Sequence, residues 1–189
     1  MWTGATNMAL IRKIFLEFIW FISEIESHFV EYSSKDRLYL RRLYFRLRQF
    51  KYGKVLFVGR NFHSLIDGNL ILGERCALGH DVRIINHFPI VIGDDFIGST
   101  GLHLETGSHD PITMEPTPRS IQIGNRVWCG INVTILAGVT IGDDVVVGAG
   151  SLVCRDIPSN SIAVGVPAKV IKPLVRADKK SLWSWVLPD

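Results

Sequence analysis

The sequence predicts an all-β solenoid core preceded by a helical N-terminal appendage. Three observations predict this class: a six-residue period of apolar residues in two long blocks, glycine or another small residue beside many of these positions, and a helical apolar pattern over residues 8–30. Short runs of Val, Ile and Thr favour strands, and Gly, Asp and Asn favour the corners between them. Equal runs joined by equal corners form a coil, and stacked coils bury the repeated apolar position.

The clearest period lies between residues 121 and 157. A helix would repeat its apolar residues at intervals of three and four, and each glycine in this run would cost a helix about 1 kcal/mol relative to alanine. The period therefore excludes a helix. The predicted inward ladder consists of Ile123, Cys129, Ile135, Ile141, Val147 and Val153, with a second set four residues later at Val127, Val133, Val139, Val145, Ser151 and Ile157.

An earlier block carries the same period, with a two-residue slip of phase after Ile90. Residues 105–120 separate the two blocks and contain three prolines and no hexad. Loops that leave a rigid scaffold often carry function, so this loop is the first place to seek chemistry. The ladder predicted for the earlier block is Ile66, Leu72, Leu78, Ile84 and Ile90, followed after the slip by Ile92, Gly98 and Leu104.

Three parts are predicted: a basic helical appendage at 1–54, a solenoid domain at 55–172 and a tail at 173–189. The net charge of +3 is uneven, because residues 1–54 hold ten Lys or Arg against five Asp or Glu. The composition is that of an ordinary globular protein. Its three cysteines, Cys76, Cys129 and Cys154, show no metal-binding spacing. We expect a reduced, cytoplasmic protein that needs no metal.

The appendage is predicted to contain helices over 8–30 and 35–54. The first is apolar except for a narrow stripe near Lys13 and Glu17, yet no uncharged run is long enough to span a membrane, and no signal-peptide cleavage pattern follows. Two interpretations stay open: a helix packed on protein, or a helix in a membrane interface beside anionic headgroups. No nucleic-acid-binding motif accompanies the charge. The apolar face of the second helix comprises Leu40, Leu43, Leu47 and Phe50.

Several stretches carry a family resemblance: the hexads, Gly-Ser-His-Asp-Pro at 107–111, Val-Trp-Cys-Gly-Ile-Asn at 127–132, and the segment from Asp-Ile-Pro-Ser at 156 to Val-Pro-Ala-Lys-Val-Ile-Lys ending at 172. They resemble the hexapeptide-repeat acyltransferases, in the branch of maltose, galactoside and colanic-acid-type sugar O-acetyltransferases. The resemblance covers about 55–173. It implies a left-handed parallel β-helix, acetyl-CoA as donor, and a homotrimer with active sites between subunits.

The resemblance assigns His109 as the general base, a task suited to a neutral imidazole near pH 7. Glu105 joins it in the catalytic set, and either Glu105 or Asp110 is a candidate to orient the imidazole; a backbone carbonyl is the third possibility. Spacing alone does not choose among the six histidines. His63 and His80 are interpreted as surface residues, and His28 and His103 as structural ones.

The acceptor site is predicted to contain Asn86, His87 and Asp110. Similar sugar enzymes place an asparagine and an aspartate where this chain has Gly79 and His87. That departure speaks against a maltose- or galactoside-type acceptor.

The resemblance implies a coenzyme A groove between coils of neighbouring subunits. Small residues would let pantetheine amides reach the backbone, and Arg or Lys would meet the nucleotide phosphates. Trp128 would also fit an aromatic residue at a subunit interface. Lys169 and Lys172 would also fit a pair of solvated surface lysines. The predicted contacts are Trp128, Gly130, Ile131, Ala149, Cys154, Arg155, Lys169 and Lys172.

We therefore expect direct acetyl transfer from acetyl-CoA to a sugar hydroxyl, in cell-surface polysaccharide or glycan biosynthesis. No cysteine stands beside His109 in the sequence, so no acyl-enzyme is expected. Two alternatives remain: an acetyltransferase for serine, an amino sugar or an antibiotic, and a non-enzymatic β-helix protein.

Overall fold

The structure is a computed structural model that describes residues 4–29, 39–54, 56–117 and 119–176 of the 189-residue chain. The chain divides into two units, Met1–Gln49 and Phe50–Asp189. Most of the predicted tail, residues 177–189, lies outside the described residues, as does the segment 30–38 that contains the start of the second predicted helix.

The first unit contains two helices, α1 (Gly4–Phe29) and α2 (Tyr39–Leu47). α1 confirms the helix predicted over 8–30. α2 ends earlier than predicted, because Lys51 already pairs as an isolated bridge with Ile71 of the solenoid. Phe50 therefore lies beyond the helix and not on its apolar face. Among the described residues, neither helix has the length and hydropathy needed to cross a bilayer.

The two helices contact each other through aromatic rings and a side-chain hydrogen bond. The rings of Trp20 and Tyr44 lie 4.9 Å apart between centroids. Arg12 Nη2 donates to the Leu47 carbonyl oxygen at 2.8 Å. Leu16 and Ile19 of α1 are buried. The hydrogen bond from Arg12 satisfies the Leu47 carbonyl in the last turn of α2, which has no partner within the helix.

Residues 56–157 wind through five coils of short strands. The first coil contains β1 (Leu56–Val58), β2 (His63–Ser64) and β3 (Leu70–Leu72), and the second contains β4 (Cys76–Leu78), β5 (Arg83–Ile85) and β6 (Ile90–Ile92). The third contains β7 (Ile97–Gly98), β8 (His103–Glu105) and β9 (Ile121–Ile123). The fourth contains β10 (Trp128–Cys129), β11 (Thr134–Ile135) and β12 (Thr140–Ile141), and the fifth contains β13 (Val145–Val147) and β14 (Leu152–Val153). A hairpin of β15 (Ser161–Gly165) and β16 (Ala168–Pro173) follows.

Strands at equivalent positions in successive coils pair in parallel, which forms three sheets. Sheet 1 contains β1, β4, β7, β10, β13 and β15, with β16 antiparallel at its end. Sheet 2 contains β2, β5, β8, β11 and β14, and sheet 3 contains β3, β6, β9 and β12. We call the corners between them edge 1–2, edge 2–3 and edge 3–1, after the sheets that they join. The predicted solenoid is confirmed.

The predicted ladders are buried in register, with one exception. In sheet 1, for example, Leu78 pairs with Gly98, Gly98 with Cys129, and Cys129 with Val147. Ile66 was predicted to point inward and does not. Ser64 takes the inward place in register with Ile84, because the corner that follows it at edge 2–3 contains two extra residues. The same two-residue widening recurs in the second coil, between Ile84 and Ile92.

Edge 3–1 carries a ladder of ion pairs that the periodicity does not reveal. Arg75 donates to both carboxylate oxygens of Asp95, at 2.7 and 2.9 Å, and Arg126 does the same to Asp144, at 2.8 and 2.7 Å. All four residues have a positive φ between 54° and 57°. Both aspartates are buried. Each bidentate pair thus joins one coil to the next.

Candidate active site

A hairpin leaves the solenoid at edge 2–3 of the third coil, between β8 and β9. Its base is fixed by Thr106, which is fully buried. The Thr106 hydroxyl donates to the Ile85 carbonyl oxygen at 3.0 Å and accepts the Phe88 N–H at 3.0 Å. The second residue of the predicted loop of 105–120 is therefore anchored to the preceding coil.

The hairpin is closed by hydrogen bonds across its two arms. Asp110 N–H donates to the Glu115 carbonyl oxygen and Thr117 N–H to the Ser108 carbonyl oxygen, each at 2.8 Å. The Asp110 carboxylate accepts the N–H groups of Thr113 at 2.9 Å and Ile112 at 2.8 Å. These two backbone donors, Thr113 first, lower the pKa of Asp110. The carboxylate therefore organises the turn at the tip of the hairpin.

His109 lies on this hairpin, paired as a bridge with Pro116, and its side chain is exposed. Among the described residues, no carboxylate hydrogen-bonds its imidazole. The hairpin thus presents a histidine to solvent on a backbone that is braced from both sides.

Glu105 lies at the start of the hairpin and contacts groups other than His109. Its Oε1 accepts the Gly107 N–H at 2.7 Å, and its Oε2 lies 3.7 Å from His103 Nε2. A Cβ at position 107 would lie 2.7 Å from Glu105 Oε1 and 3.0 Å from His87 Cδ2. Only glycine fits there without displacement. Glu105 and His87 therefore shape the base of the hairpin together.

Asn86 is fully buried, and its side-chain amide is hydrogen-bonded to other residues of the same chain. The amide oxygen accepts from the Ser64 hydroxyl at 3.1 Å and from the N–H groups of Leu65 at 3.1 Å and Ile66 at 2.9 Å. The amide nitrogen donates to the Ile66 carbonyl oxygen at 2.7 Å. Asn86 holds the widened corner of the first coil, and we leave it out of the proposed acceptor site.

Edge 1–2 brings together four of the residues predicted to contact coenzyme A. Trp128 is 47% exposed, and its indole N–H donates to the Ser99 hydroxyl at 3.3 Å. Gly130 stacks on the next coil so closely that a Cβ would lie 2.7 Å from Ala149 N. Ile131 and Ala149 are exposed, and their backbone N–H groups donate to no group of the described residues. Two unpaired donors on a surface of small residues fit the amides of a pantetheine chain.

The remaining four predicted contacts lie elsewhere. Cys154 and Arg155 are exposed at edge 2–3 of the fifth coil, on the same edge as the His109 hairpin. Lys169 and Lys172 are exposed on β16, opposite Val164 and Ile162. The predicted donor site is therefore divided between edge 1–2, edge 2–3 and the end of sheet 1.

The sequence did not predict a cleft on the outer face of sheet 2. Its volume is about 600 Å³, and its lining includes His63 and Arg83, which pair with each other across β2 and β5 and precede the inward Ser64 and Ile84. His63 was interpreted as an ordinary surface residue. The signal available in the sequence was a polar residue beside each inward position of β2 and β5.

The family of the chain follows from comparison with known proteins. Residues 120–155 match the family model of the bacterial transferase hexapeptide, six repeats. The chain is 35% identical to a galactoside O-acetyltransferase from Escherichia coli over 69% of its own length and 60% of that relative. It is 36% identical to a putative colanic acid biosynthesis acetyltransferase from Escherichia coli, over 71% of this chain and 76% of the relative.

A solved structure of a galactoside acetyltransferase in complex with coenzyme A superposes with a TM-score of 0.72 at 26% identity, over 87% of this chain and 81% of that one. The chain thus spans about three fifths of the galactoside O-acetyltransferase from Escherichia coli and three quarters of the colanic acid relative. Its fold is the left-handed parallel β-helix. The chain belongs to the hexapeptide-repeat acetyltransferase family.

Proposed function

We propose that the protein transfers an acetyl group from acetyl-CoA to a hydroxyl of a sugar acceptor, with His109 as the general base. One observation carries the proposal: a braced hairpin interrupts the regular solenoid and presents His109 to solvent. The names of the relatives support the reaction, since they are acetyltransferases of galactoside and of colanic acid biosynthesis. The solved relative bound to coenzyme A supports the donor.

The proposed reaction is a direct displacement. The His109 imidazole takes the proton of the acceptor hydroxyl as its oxygen attacks the thioester carbonyl carbon. A backbone N–H at edge 1–2, of Ile131 or Ala149, is available to donate to the oxyanion of the tetrahedral intermediate. The carbon–sulfur bond then breaks, and the thiolate of coenzyme A takes the proton back from the imidazolium. The products are the acetyl ester and free thiol.

The cysteines of the described chain fit this direct route. Cys76 and Cys129 are buried, and burial raises the pKa of each thiol to about 12, which keeps both protonated. Cys154 is exposed on the edge that carries the hairpin, but two coils further along, on the order of 10 Å away. Cys154→Ser should therefore keep its turnover, and loss of turnover would favour an acyl-enzyme on that residue.

We propose that the working site is shared between subunits of a homotrimer. His109 lies on the hairpin at edge 2–3. The width of sheet 2 separates it from edge 1–2, which carries Trp128, Gly130, Ile131 and Ala149. A neighbouring copy that brings its edge 1–2 to this edge 2–3 would complete the site. A three-sided prism repeats this head-to-tail contact until the ring closes.

Mixed oligomers test that arrangement. His109→Ala removes the base, and Ala149→Trp fills the groove at edge 1–2. If each site takes its base from one subunit and its groove from the next, random mixing of the two inactive variants should restore about one quarter of wild-type turnover. A site contained within one chain would give no recovery, and a monomeric mass by light scattering would also contradict the proposal.

We further propose that α1 contacts an anionic lipid surface. Seven large apolar residues of α1 are exposed, and at 100° per residue they fall within an arc of about 160°. Lys13 and Glu17 border that arc, and residues 1–54 carry a net charge of +5. A basic segment with a broad apolar face fits the interface of an anionic membrane, which supports the proposed contact. The location that we propose is the cytoplasmic surface of a membrane. The exposed residues are Met8, Leu10, Ile11, Ile14, Phe15, Phe18 and Phe21.

Flotation of the full chain with vesicles tests this contact. The wild type should float with vesicles that contain phosphatidylglycerol, and less with phosphatidylcholine alone. Phe15→Asp with Phe18→Asp should abolish flotation, while Ile112→Asp, an exposed apolar residue of the hairpin, serves as the control. Flotation unchanged by the double variant would overturn the proposal. If the wild type does not float and the double variant changes its oligomeric mass, the apolar face of α1 would instead be a contact with another copy of the chain.

The acceptor class is tested by the release of free thiol from acetyl-CoA across a panel of sugars, nucleotide sugars, amino sugars and serine. The proposal expects release with hydroxylated sugars and an ester as product. Faster release with serine, or an amide formed on an amino sugar, would reassign the acceptor. Failure to bind acetyl-CoA at all would remove the enzymatic proposal.

A further inference from the structure

The outer face of sheet 2 contains a cleft of about 600 Å³ in the first two coils. It lies beside the strand that leads into the His109 hairpin, because β5 pairs with β8 and the two strands are about 4.8 Å apart. Nothing in the reaction described above uses this cleft. Its lining comprises Asn61, His63, Asp81, Val82, Arg83 and Ile85.

Arg83 is the distinctive residue of this cleft. Its side chain is exposed on the outer face, between His63 and His103 in the strand register. Among the described residues, no carboxylate forms an ion pair with it. Arg75 and Arg126 at edge 3–1 differ from Arg83, since they are bound to Asp95 and Asp144. An unpaired guanidinium in a cleft is suited to bind a carboxylate or phosphate with two parallel hydrogen bonds.

The acid on the adjacent strand, Glu105, contacts groups other than Arg83. Glu105, on the adjacent strand, accepts the Gly107 N–H at 2.7 Å and lies 3.7 Å from His103 Nε2. Burial, and then Arg83 itself, lower the pKa of His103, while Glu105 opposes them. His103 is therefore neutral at pH 7, and Arg83 carries the positive charge at this point of the face.

Another part of the cleft lining is suited to sugar hydroxyls. Asn61 Nδ2 donates to Asp81 Oδ1 at 2.8 Å, and the Asp81 carboxylate is exposed. A carboxylate accepts several hydrogen bonds, so Asp81 retains room for hydroxyl donors. The cleft thus combines acceptor groups for hydroxyls with a cation for an anion.

We infer that this cleft binds the acceptor and selects a sugar that carries a carboxylate or a phosphate, with Arg83 on the anion and Asp81 on the hydroxyls. This inference rests on the proposed acetyl transfer to a sugar and names its substrate class. The cleft lies on the strand neighbouring the one that carries the hairpin, which would place a bound sugar toward His109. It also agrees with the absence of the acceptor residues typical of maltose- and galactoside-type enzymes at positions 79 and 87.

The test compares matched acceptors and matched variants of the full chain. Thiol release is measured with methyl galactoside against methyl galacturonide, methyl glucoside against methyl glucuronide, and glucose against glucose 6-phosphate. The variants are Arg83→Gln, Arg83→Lys and the control Lys54→Gln, which removes one exposed charge outside the cleft. A parallel arm measures binding of galacturonate and galactose by ligand-observed NMR, without acetyl-CoA.

We expect kcat/KM for the charged member of a pair to exceed that of its neutral partner by at least about tenfold. Arg83→Gln should raise KM for the charged member far more than for its neutral partner and so erase this difference. Arg83→Lys should keep part of the difference, and Lys54→Gln should keep all of it. The carboxylate and phosphate pairs then distinguish the two anions. Equal use of charged and neutral sugars, or equal losses on both in Arg83→Gln, would overturn the inference and leave acetyl transfer standing.

If no acceptor releases thiol, the proposed acetyl transfer fails and the binding arm decides the cleft separately. Binding of galacturonate that is lost in Arg83→Gln and kept in Lys54→Gln would retain the cleft as an acidic-sugar site. Absence of binding to the wild type would overturn it.

Discussion

Replacing Asn86 with leucine should destabilise the first coil without a direct effect on acceptor binding. The substitution removes four hydrogen bonds between the amide and residues 64–66. At about 1 kcal/mol each, these sum to roughly 4 kcal/mol. Burial of a leucine side chain returns about 1–2 kcal/mol of that loss. We therefore expect the free energy of unfolding to fall by about 2–3 kcal/mol, since the side chain is fully buried.

The assay is urea unfolding at one fixed protein concentration, because oligomerisation makes apparent stability depend on concentration. Hydrogen exchange of the Leu65 and Ile66 amides reports on the corner itself and should accelerate in the variant. Asn69→Ala is the control in the same corner. It removes only two hydrogen bonds of 3.2 Å to the carbonyls of Asn86 and His87, so we expect a smaller loss.

The outcome separates a structural from an acceptor-binding role of Asn86. Unchanged unfolding and exchange, together with a raised KM for the acceptor, would refute the structural role and return Asn86 to the acceptor site. The burial of the amide against residues 64–66 predicts the opposite pattern.

Three further predictions concern charged groups. Asp110→Asn keeps an oxygen that can accept the Thr113 and Ile112 N–H groups, so it should retain most of kcat. Asp110→Ala removes that acceptor and should lose most of kcat. Equal loss of kcat in both variants would show that the charge does more than stabilise the turn. Asp144→Asn should lower the free energy of unfolding by about 3 kcal/mol in urea titrations, because Arg126 loses its bidentate partner, and no loss would show the pair to be dispensable. His103 has a folded pKa below its ordinary 6.5, so the unfolded state binds more protons and stability should decline as the pH falls below 6.5. His103→Gln should flatten that decline, and an unchanged pH profile would assign it to another group.

The solenoid was predictable because every coil obeys the same local rule. Ile135 and Val153 fall in one ladder through a six-residue count that needs no knowledge of distant residues. The count failed at Ile66, since it recognises only apolar residues and the inward position of that coil is Ser64. Ser64 is compatible with the interior because Asn86, a full coil later, shares a hydrogen bond with it.

The site was predictable only where it depends on local sequence. The bounds of the hairpin followed from its prolines and the break in the period. The partners of Glu105, the burial of Asn86 and the unpaired state of Arg83 depend on which residues of neighbouring coils meet. Those separations are near twenty residues in the first coils and change across the hairpin. The Arg75–Asp95 and Arg126–Asp144 pairs were hidden for the same reason.

The most direct test of the central claim is acceptor-dependent release of thiol from acetyl-CoA by the wild type and by His109→Ala, with acetyl-CoA binding measured on both. Ser108→Ala, beside the same hairpin position, is the matched control. The account predicts that His109→Ala binds acetyl-CoA as the wild type does and loses at least about a hundredfold in kcat, as expected for a general base. Turnover that is unchanged in His109→Ala, with the acceptor still required, would contradict it.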